Sequence, residues 1–356
     1  MSVALHHLLS DFAAGDALGT ITLSFRDISR ELGFRSEIFS NVIDPRVAVE
    51  ARPADELETV LRPGDAVMYH LSIGSPVARL FERLPARKLL YYQNITPAAY
   101  YRGVNERVVA RIEQAHADAR RLMPVAELVM APTAFNLAEA RAFGADRAMV
   151  VPSPLPVSRL HPRPALAPPD PVLLFVGRIA PNKGHADLLR VLAALRGTVQ
   201  PTARLVVVGH SLDTEPYLRG LWRLAESLGV TDAVDMPGGR LGLSDAELGA
   251  RYASSSVFLC MSEHEGICVP VVEAMSFEVP VVAYAAGAVP ETVGEGGILL
   301  ETRDPLVWAA TVDRILRDGV LRARLTAAGR RRSERVRAAP IAELFQAALA
   351  EAGVRP

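Results

Sequence analysis

Two glutamates, Glu265 and Glu273, stand eight residues apart in the stretch Ser262 to Pro280, SEHEGICVPVVEAMSFEVP. Earlier in the chain, Arg178 and Lys183 flank a short loop, Gly177-Arg178-Ile179-Ala180-Pro181-Asn182-Lys183-Gly184, which follows an apolar run. A guanidinium fork, a lysine point charge and free backbone N–H groups at a helix start make a receptor for a diphosphate. Each signal is weak alone. The loop also reads as a turn with two solvated charges, and the glutamates as a carboxylate favoured by a helix dipole plus a surface side chain. Two observations add weight. Lys183 is one of two lysines, with Lys88, in a chain whose basic charge is otherwise arginine. The basic loop and the glutamate pair also fall in successive positions of one half of the chain.

Apolar spacing gives the elements around these residues. Val257 to Met261 is a strand-length run that stops where the glutamate stretch begins. Pro270 suits the first turn of a helix, where no backbone N–H is needed. From there Val271, Ala274 and Met275 recur at the spacing of one buried helix face. Pro280 to Tyr284 is a second apolar run. The order is strand, loop with Glu265, helix with Glu273, strand. Ligands of open parallel sheets sit beyond the carboxyl ends of strands and against helix N-termini, and both carboxylates fall in that zone.

The same alternation runs along the whole chain. In the first half, strands are expected over Val3–Leu9, Ser36–Ser40, Ala66–Leu71, Lys88–Gln93, Glu127–Ala131 and Ala148–Val151. Between them lie a helix striped by Ile21, Phe25, Ile28 and Leu32 and ended by Gly33, and a polar helix from Glu106 to Met123. Eight prolines between Pro152 and Pro171 exclude a helix or central strand and mark a stiff linker. Alternation then restarts: strand Val172–Val176, helix Ala186–Leu195, strand Arg204–Val208, helix Glu215–Leu228, strand Val234–Met236. Ser244 with Glu247 forms a capping box for a short helix, and the tail from Pro305 onward is helical. Strands alternating with helices point to βαβ units and mainly parallel sheets.

Composition sets outer bounds. At 356 residues the chain is about right for two domains. No run approaches the roughly 20 apolar residues of a membrane span, and Met1 to His7 lacks the basic region and long apolar core of a signal peptide. The two cysteines, Cys260 and Cys268, suggest a reducing compartment. A net charge of −1 argues against a general nucleic-acid binder. No strand is followed by the Gly-x-Gly-x2-Gly of a nicotinamide dehydrogenase. His6 and His7 have no metal-ligand spacing to other histidines or cysteines. A cytoplasmic two-domain protein is expected.

With these motifs in hand, the second half resembles the donor-binding domain of family 4 glycosyltransferases. The resemblance rests on Gly177-Arg178 with Lys183, on Glu265-Gly266-Ile267-Cys268-Val269-Pro270-Val271-Val272-Glu273-Ala274-Met275, and on Pro280-Val281-Val282. Gly287-Ala288-Val289-Pro290-Glu291 and Gly296-Gly297 extend it, so that it covers roughly Val172 to Asp304. It implies an α/β protein of GT-B fold, two doubly wound Rossmann-like domains facing each other across a cleft. It also implies a retaining enzyme that moves a sugar from a nucleotide-diphosphate donor to an acceptor hydroxyl, in bacterial polysaccharide or glycolipid synthesis. On this resemblance Arg178 and Lys183 hold the diphosphate, Glu273 takes the ribose hydroxyls, and Glu265 faces the transferred sugar. Backbone N–H groups of Gly266, Ile267 and Cys268 reach the sugar or distal phosphate. No metal or other cofactor is implied, and the chain contains no Asp-x-Asp. The domains are expected over 1–157 (acceptor) and 172–338 (donor), joined by the linker 158–171. The last helix, within 339–356, packs back on the first.

Several positions depart from the family pattern. Cys268 replaces the second glycine of its loop, and is read as a small packing residue. Phe277-Glu278 stands where a small residue and glycine are usual, with Glu278 a solvated charge. In the first half, Gly15 and Asp16 follow the first strand, where relatives carry a loop near the phosphates and acceptor; a plain turn is an equal reading. Gln93 ends a strand where many relatives carry a histidine that contacts the sugar, and His70, at another strand end, is the other candidate for that role. The implied partners are a nucleotide sugar and a saccharide or lipid-linked acceptor, with peripheral contact at the inner face of the membrane in the lipid-linked case. Basic segments around Arg79, Arg83, Arg87 and Lys88, and from Arg330 to Arg337, could touch anionic lipid; a solvated face is the plainer reading. The rival functions are a sugar-nucleotide epimerase or phosphorylase of the same fold, and a non-catalytic nucleotide-sugar-binding protein.

Overall fold

A computed structural model describes residues 2–13, 15–155, 160, 169–237 and 242–356. Most of the Pro-rich stretch assigned as a linker lies outside these residues. The chain divides into two compact units. The first comprises Met1–Ala99, Arg107–Pro156 and Ala339–Pro356; the second comprises Tyr100–Glu106 and Val157–Ala338. Tyr100–Glu106, placed by sequence in the first domain, therefore groups with the second unit.

Each unit is built on a parallel sheet. In the first, strands β1 (Leu5–Phe12), β2 (Ile38–Ile43), β3 (Arg52–Pro53), β4 (Ala66–Leu71), β5 (Arg87–Tyr92), β6 (Leu128–Ala131) and β7 (Ala148–Val150) lie in the order β3-β2-β1-β4-β5-β6-β7. In the second, β8 (Val172–Val176), β9 (Arg204–Val208), β10 (Val234–Asp235), β11 (Val257–Cys260), β12 (Val281–Tyr284) and β13 (Ile298–Leu300) lie in the order β10-β9-β8-β11-β12-β13. The order reverses direction between β1 and β4 and between β8 and β11. Loops after those strands diverge to opposite faces and leave a crevice at the sheet's carboxyl edge, where α/β folds bind ligands.

Sidedness in the second sheet follows the period-2 alternation of strand side chains. Leu173, Phe175, Leu205 and Val207 face one core with Leu188, Leu189, Leu192 and Leu195 of the helix His185–Thr198. Leu174, Val206, Phe258 and Cys260 face the other, with Val271, Ala274 and Met275 of the helix Val269–Ser276. The stripe expected from Val271, Ala274 and Met275 is thus a buried face. The capping box at Ser244 opens the helix Asp245–Ala253, with both reciprocal bonds formed.

In the first unit, Ile21 and Phe25 of the helix Ala17–Glu31 pack with Leu5, Met68, Leu89 and Tyr91 and with Phe345, Ala348 and Leu349 of the last helix, Ile341–Glu351. The Phe25 and Phe345 rings lie 4.9 Å apart. Arg87 and Arg147 each donate to a backbone carbonyl at the end of that helix, Gly353 O and Glu351 O, both at 2.7 Å. One expectation needs correction. The first strand does not end before Ser10 but runs to Phe12, because Asp11 and Phe12 pair with Val42 and Ile43 and Phe12 turns into the core. No helix of the described residues is long and apolar enough to cross a membrane.

Candidate active site

The second unit's site begins with two loops leaving β8 and β11, which are neighbours in register, Val257 beside Leu173 and Phe258 beside Leu174. The loop after β8 leaves through Gly177, whose φ is +153° and whose carbonyl would lie 1.9 Å from a Cβ on Gly209. Only a glycine at 209 lets the backbones approach that closely. The loop then makes a short turn at Pro181–Lys183 and enters the helix His185–Thr198 through Gly184, at φ +71°. A Cβ on Gly184 would sit 2.3 Å from Met261 O. This loop is therefore pressed against the start of the glutamate stretch.

Asn182 joins the two loops. Its carbonyl accepts from the Glu263 N–H at 2.8 Å and its side-chain amide donates to His264 O at 3.2 Å. Across that seam Lys183 Nζ donates to Glu265 Oε1 at 2.7 Å, with the two side chains 16% and 11% exposed. Burial would lower the Lys183 ammonium, but the Glu265 carboxylate overrides it and holds the pKa above the usual lysine value. Arg178 is exposed at the loop's other end, near enough to act electrostatically on Lys183. The backbone of Glu265 is held on its far side. Ala288 N–H donates to Glu265 O at 2.9 Å, and Gly287, at φ +57°, leaves only 2.8 Å between its would-be Cβ and that same oxygen.

Glu273 is 2% exposed, so it is no surface glutamate. It lies in the helix Val269–Ser276, where Tyr252 Oη donates to its Oε2 at 2.8 Å. The Tyr252 ring is stacked on Phe277 with centroids 5.3 Å apart. Gly266 and Ile267 are half-buried, while Cys268 is buried at the start of that helix. The Cys268 sulfur packs 3.7 Å from that of Cys260, and both belong to the apolar cluster under the loop, in keeping with the packing reading. Glu278 adopts φ +57°, the conformation a glycine would take there, and is exposed with a partner in Arg330 at 3.4 Å. Arg303 ties Asp187 of the β8 side to Glu263 of the β11 side.

The first unit carries the remaining candidates. Gly15, at φ +76°, makes the turn after β1, and Asp16 is exposed at the start of the helix Ala17–Glu31. His70 is fully buried, whereas Gln93 is half-buried just past the end of β5. They belong to one hydrogen-bonded line. Ser29 Oγ donates to Phe25 O at 2.7 Å and so accepts from His7 Nε2 at 3.1 Å. His7 Nδ1 must then accept from His70 Nε2 at 3.1 Å. His70 Nδ1 in turn accepts from Gln93 Nε2 at 3.5 Å. Burial pushes His70 down to about 3 and His7 well below its ordinary value, so each ring is neutral and carries the one proton this line needs. His70, bonded through both ring nitrogens, cannot reach a ligand itself. Its contact engages the donor end of the Gln93 amide, so the carbonyl oxygen is not part of the line.

Sequence reasoning gave no role to Asn182, Tyr252, Gly287 or Arg303. Their partners are far away in sequence, and nothing local marks them except the glycine of the Gly287-Ala288 segment. Basic segments are accounted for largely by internal contacts. Leu80, Phe81 and Leu84 are buried. Arg83 and Arg87 pair with Glu58 and Glu127, and Lys88 Nζ donates to Leu84 O. Arg335 pairs with Glu295.

Residues 158–332 match the profile of the family described as Glycosyl transferases group 1. The chain is 36% identical over 169 residues to a D-inositol 3-phosphate glycosyltransferase of Salinispora arenicola, covering 45% of this chain and 36% of that one. It is 33% identical over 196 residues to a GDP-mannose-dependent alpha-(1-6)-phosphatidylinositol monomannoside mannosyltransferase of Mycolicibacterium smegmatis, covering 52% and 49% respectively. The match thus spans half or less of these relatives' own length. Among solved structures, sucrose-phosphate synthase from Thermosynechococcus elongatus superposes with a TM-score of 0.74 over 98% of both chains, at 19% identity. That likeness is one of fold, the two-unit α/β architecture of GT-B glycosyltransferases.

Proposed function

We propose, from the premise that residues 158–332 form a Glycosyl transferases group 1 domain, that the protein is a retaining glycosyltransferase using a nucleotide-diphosphate sugar. The observation that carries this reading is the seam at the switch point of the second sheet. There Lys183 and Glu265 pair across the loops that leave β8 and β11, with Arg178 on the first of those loops and Glu273 on the helix that follows the second. In the reaction the bond from the anomeric carbon to the diphosphate oxygen breaks and its electron pair leaves on that oxygen, while the acceptor oxygen forms its bond to the same carbon and its proton passes to the departing diphosphate. Lys183, already held in the seam by its ion pair with Glu265, and Arg178 on the same loop stabilise that charge. No step in this scheme calls on a metal.

Glu273, turned by Tyr252, takes the ribose hydroxyls, and Glu265 faces the sugar with the backbone of Gly266, Ile267 and Cys268. When a diphosphate binds, it competes with Glu265 for the Lys183 ammonium, so the resting ion pair keeps the lysine placed between turnovers. The first unit offers the Gln93 carbonyl to a sugar hydroxyl, and Gly15 and Asp16 to the acceptor side. The two curated relatives are named for inositol-containing acceptors, which supports a saccharide or lipid-linked acceptor here. Such an enzyme works in the cytoplasm, and at the inner face of the membrane when its acceptor is lipid-linked.

The test is incubation with a panel of nucleotide sugars, with and without inositol-type and saccharide acceptors. Nucleoside diphosphate release is followed, and the product's anomeric configuration is read by NMR. Release that needs an acceptor, with retained configuration, is expected. Conversion of the sugar without any acceptor would instead indicate an epimerase, and binding without turnover a non-catalytic nucleotide-sugar sensor.

A further inference from the structure

Cys260 and Cys268 are the two cysteines of 356 residues, and the fold brings their sulfurs to 3.7 Å. Cys260 closes β11, Cys268 stands at the start of the helix Val269–Ser276, and Glu265 lies in the loop between them. The two sulfurs and a carboxylate oxygen of Glu265 all lie within 4.8 Å of one another. Two thiolates bound at about 2.3 Å to one tetrahedral ion stand about 3.8 Å apart. The observed separation already matches that of a shared metal. A disulfide would need the sulfurs to close to about 2.05 Å. Paired sulfurs select a thiophilic ion, and the added carboxylate favours zinc over copper(I).

We propose that Cys260, Cys268 and Glu265 form a binding site for a single zinc ion. Three protein ligands leave one coordination position over, the pattern of an open site and not of a closed structural one. Binding replaces two S–H bonds by two zinc–sulfur bonds, releases both protons to water and moves no electrons. Charge also balances. Zinc with two thiolates is neutral, and the negative charge that Glu265 adds is met by Lys183, 2.7 Å from its carboxylate. Glu265 gives up part of its hold on Lys183 when it turns to the metal. On the sugar-transfer reading above, and resting on it, zinc is therefore an inhibitor; binding of the metal itself does not depend on that reading.

The experiment uses the untagged, reduced full chain, in equilibrium dialysis against zinc and in titration with cadmium followed through its ultraviolet thiolate-to-metal band. Wild type should bind one ion per chain with both sulfurs engaged. Cys260→Ala and Cys268→Ser should each weaken binding by about 100-fold or more, with circular dichroism and melting showing that each variant is folded. Glu265→Gln, which leaves the buried sulfurs in place, should weaken binding while keeping the cadmium band. Absence of zinc binding by wild type, or equal binding by folded cysteine variants, overturns the site and leaves an ordinary thiol–thiol contact. Zinc binding by a protein that transfers no sugar would keep the metal site and remove the sugar-transfer reading instead.

Discussion

Replacing Lys183 by alanine should separate ligand binding from folding. The ammonium makes a charged hydrogen bond of 2.7 Å with a side chain that is only 11% exposed. An exposed pair contributes at most about 1 kcal/mol, whereas removing one partner of a fully buried pair costs about 3–5 kcal/mol. With both side chains largely but not wholly buried, Lys183→Ala should destabilise the second unit by about 2 kcal/mol, read from urea denaturation. In the proposed complex the same ammonium meets the diphosphate, and losing a charged hydrogen bond there costs about 1.5–3 kcal/mol. Affinity for UDP, GDP or ADP, whichever the wild type binds, should fall roughly 10- to 150-fold by calorimetric titration. Glu265→Gln supplies the contrast. It frees Lys183 from competition, so diphosphate affinity should hold or rise while sugar transfer falls. Equal diphosphate binding by wild type and Lys183→Ala, or an equal loss in Glu265→Gln, would refute the reasoning.

Other expectations follow from particular contacts. Gly287→Ala places a Cβ 2.8 Å from Glu265 O at φ +57°, so it should cost about 1–2 kcal/mol in backbone strain and slow transfer by displacing Glu265; unchanged transfer in the variant would contradict this. Glu278 pays the same kind of conformational penalty at φ +57°, so Glu278→Gly should raise the unfolding free energy by up to about 1 kcal/mol, once the glycine's added chain entropy offsets part of the relief, read as a higher urea midpoint. Burial lowers His70 and His185 from 6.5 to about 3. Both are neutral in the folded chain, while the unfolded chain takes up protons below that ordinary value. Their contribution is therefore complete above pH 6.5 and lost as pH falls toward 3, with a slope of up to about 1.4 kcal/mol per pH unit for each histidine. Urea titrations from neutral pH downward should show that slope, and His185→Phe should flatten it in the second unit.

Much of the fold was legible because parallel strands buried on both faces read as unbroken apolar runs. Val172–Val176 and Arg204–Val208 fall where the sequence places them. Two short edge strands, Arg52–Pro53 and Ile298–Leu300, were not legible, since two or three residues, none of them buried, leave no periodic signal. Asp11 hid the end of β1, because a polar residue half-exposed at a strand's carboxyl end looks like the start of a loop. The site divided along similar lines. Lys183 and Glu265 stood out as residue types in plausible loops, but their contact joins positions 82 apart. The line from His7 to His70 spans 63 residues, and without it neither histidine could be told from an ordinary core residue. For Glu273 the spacing alone left a surface side chain as the alternative to a ribose contact, and burial with the Tyr252 bond removes that alternative.

The most direct measurement of the central claim is hydrogen–deuterium exchange with and without a saturating nucleoside diphosphate. Seating of the diphosphate on the two joined loops predicts new protection over Gly177 to Gly184 and over Glu265 to Glu273, lost in Lys183→Ala. Binding that protects neither stretch, or protects only the first unit, would contradict it.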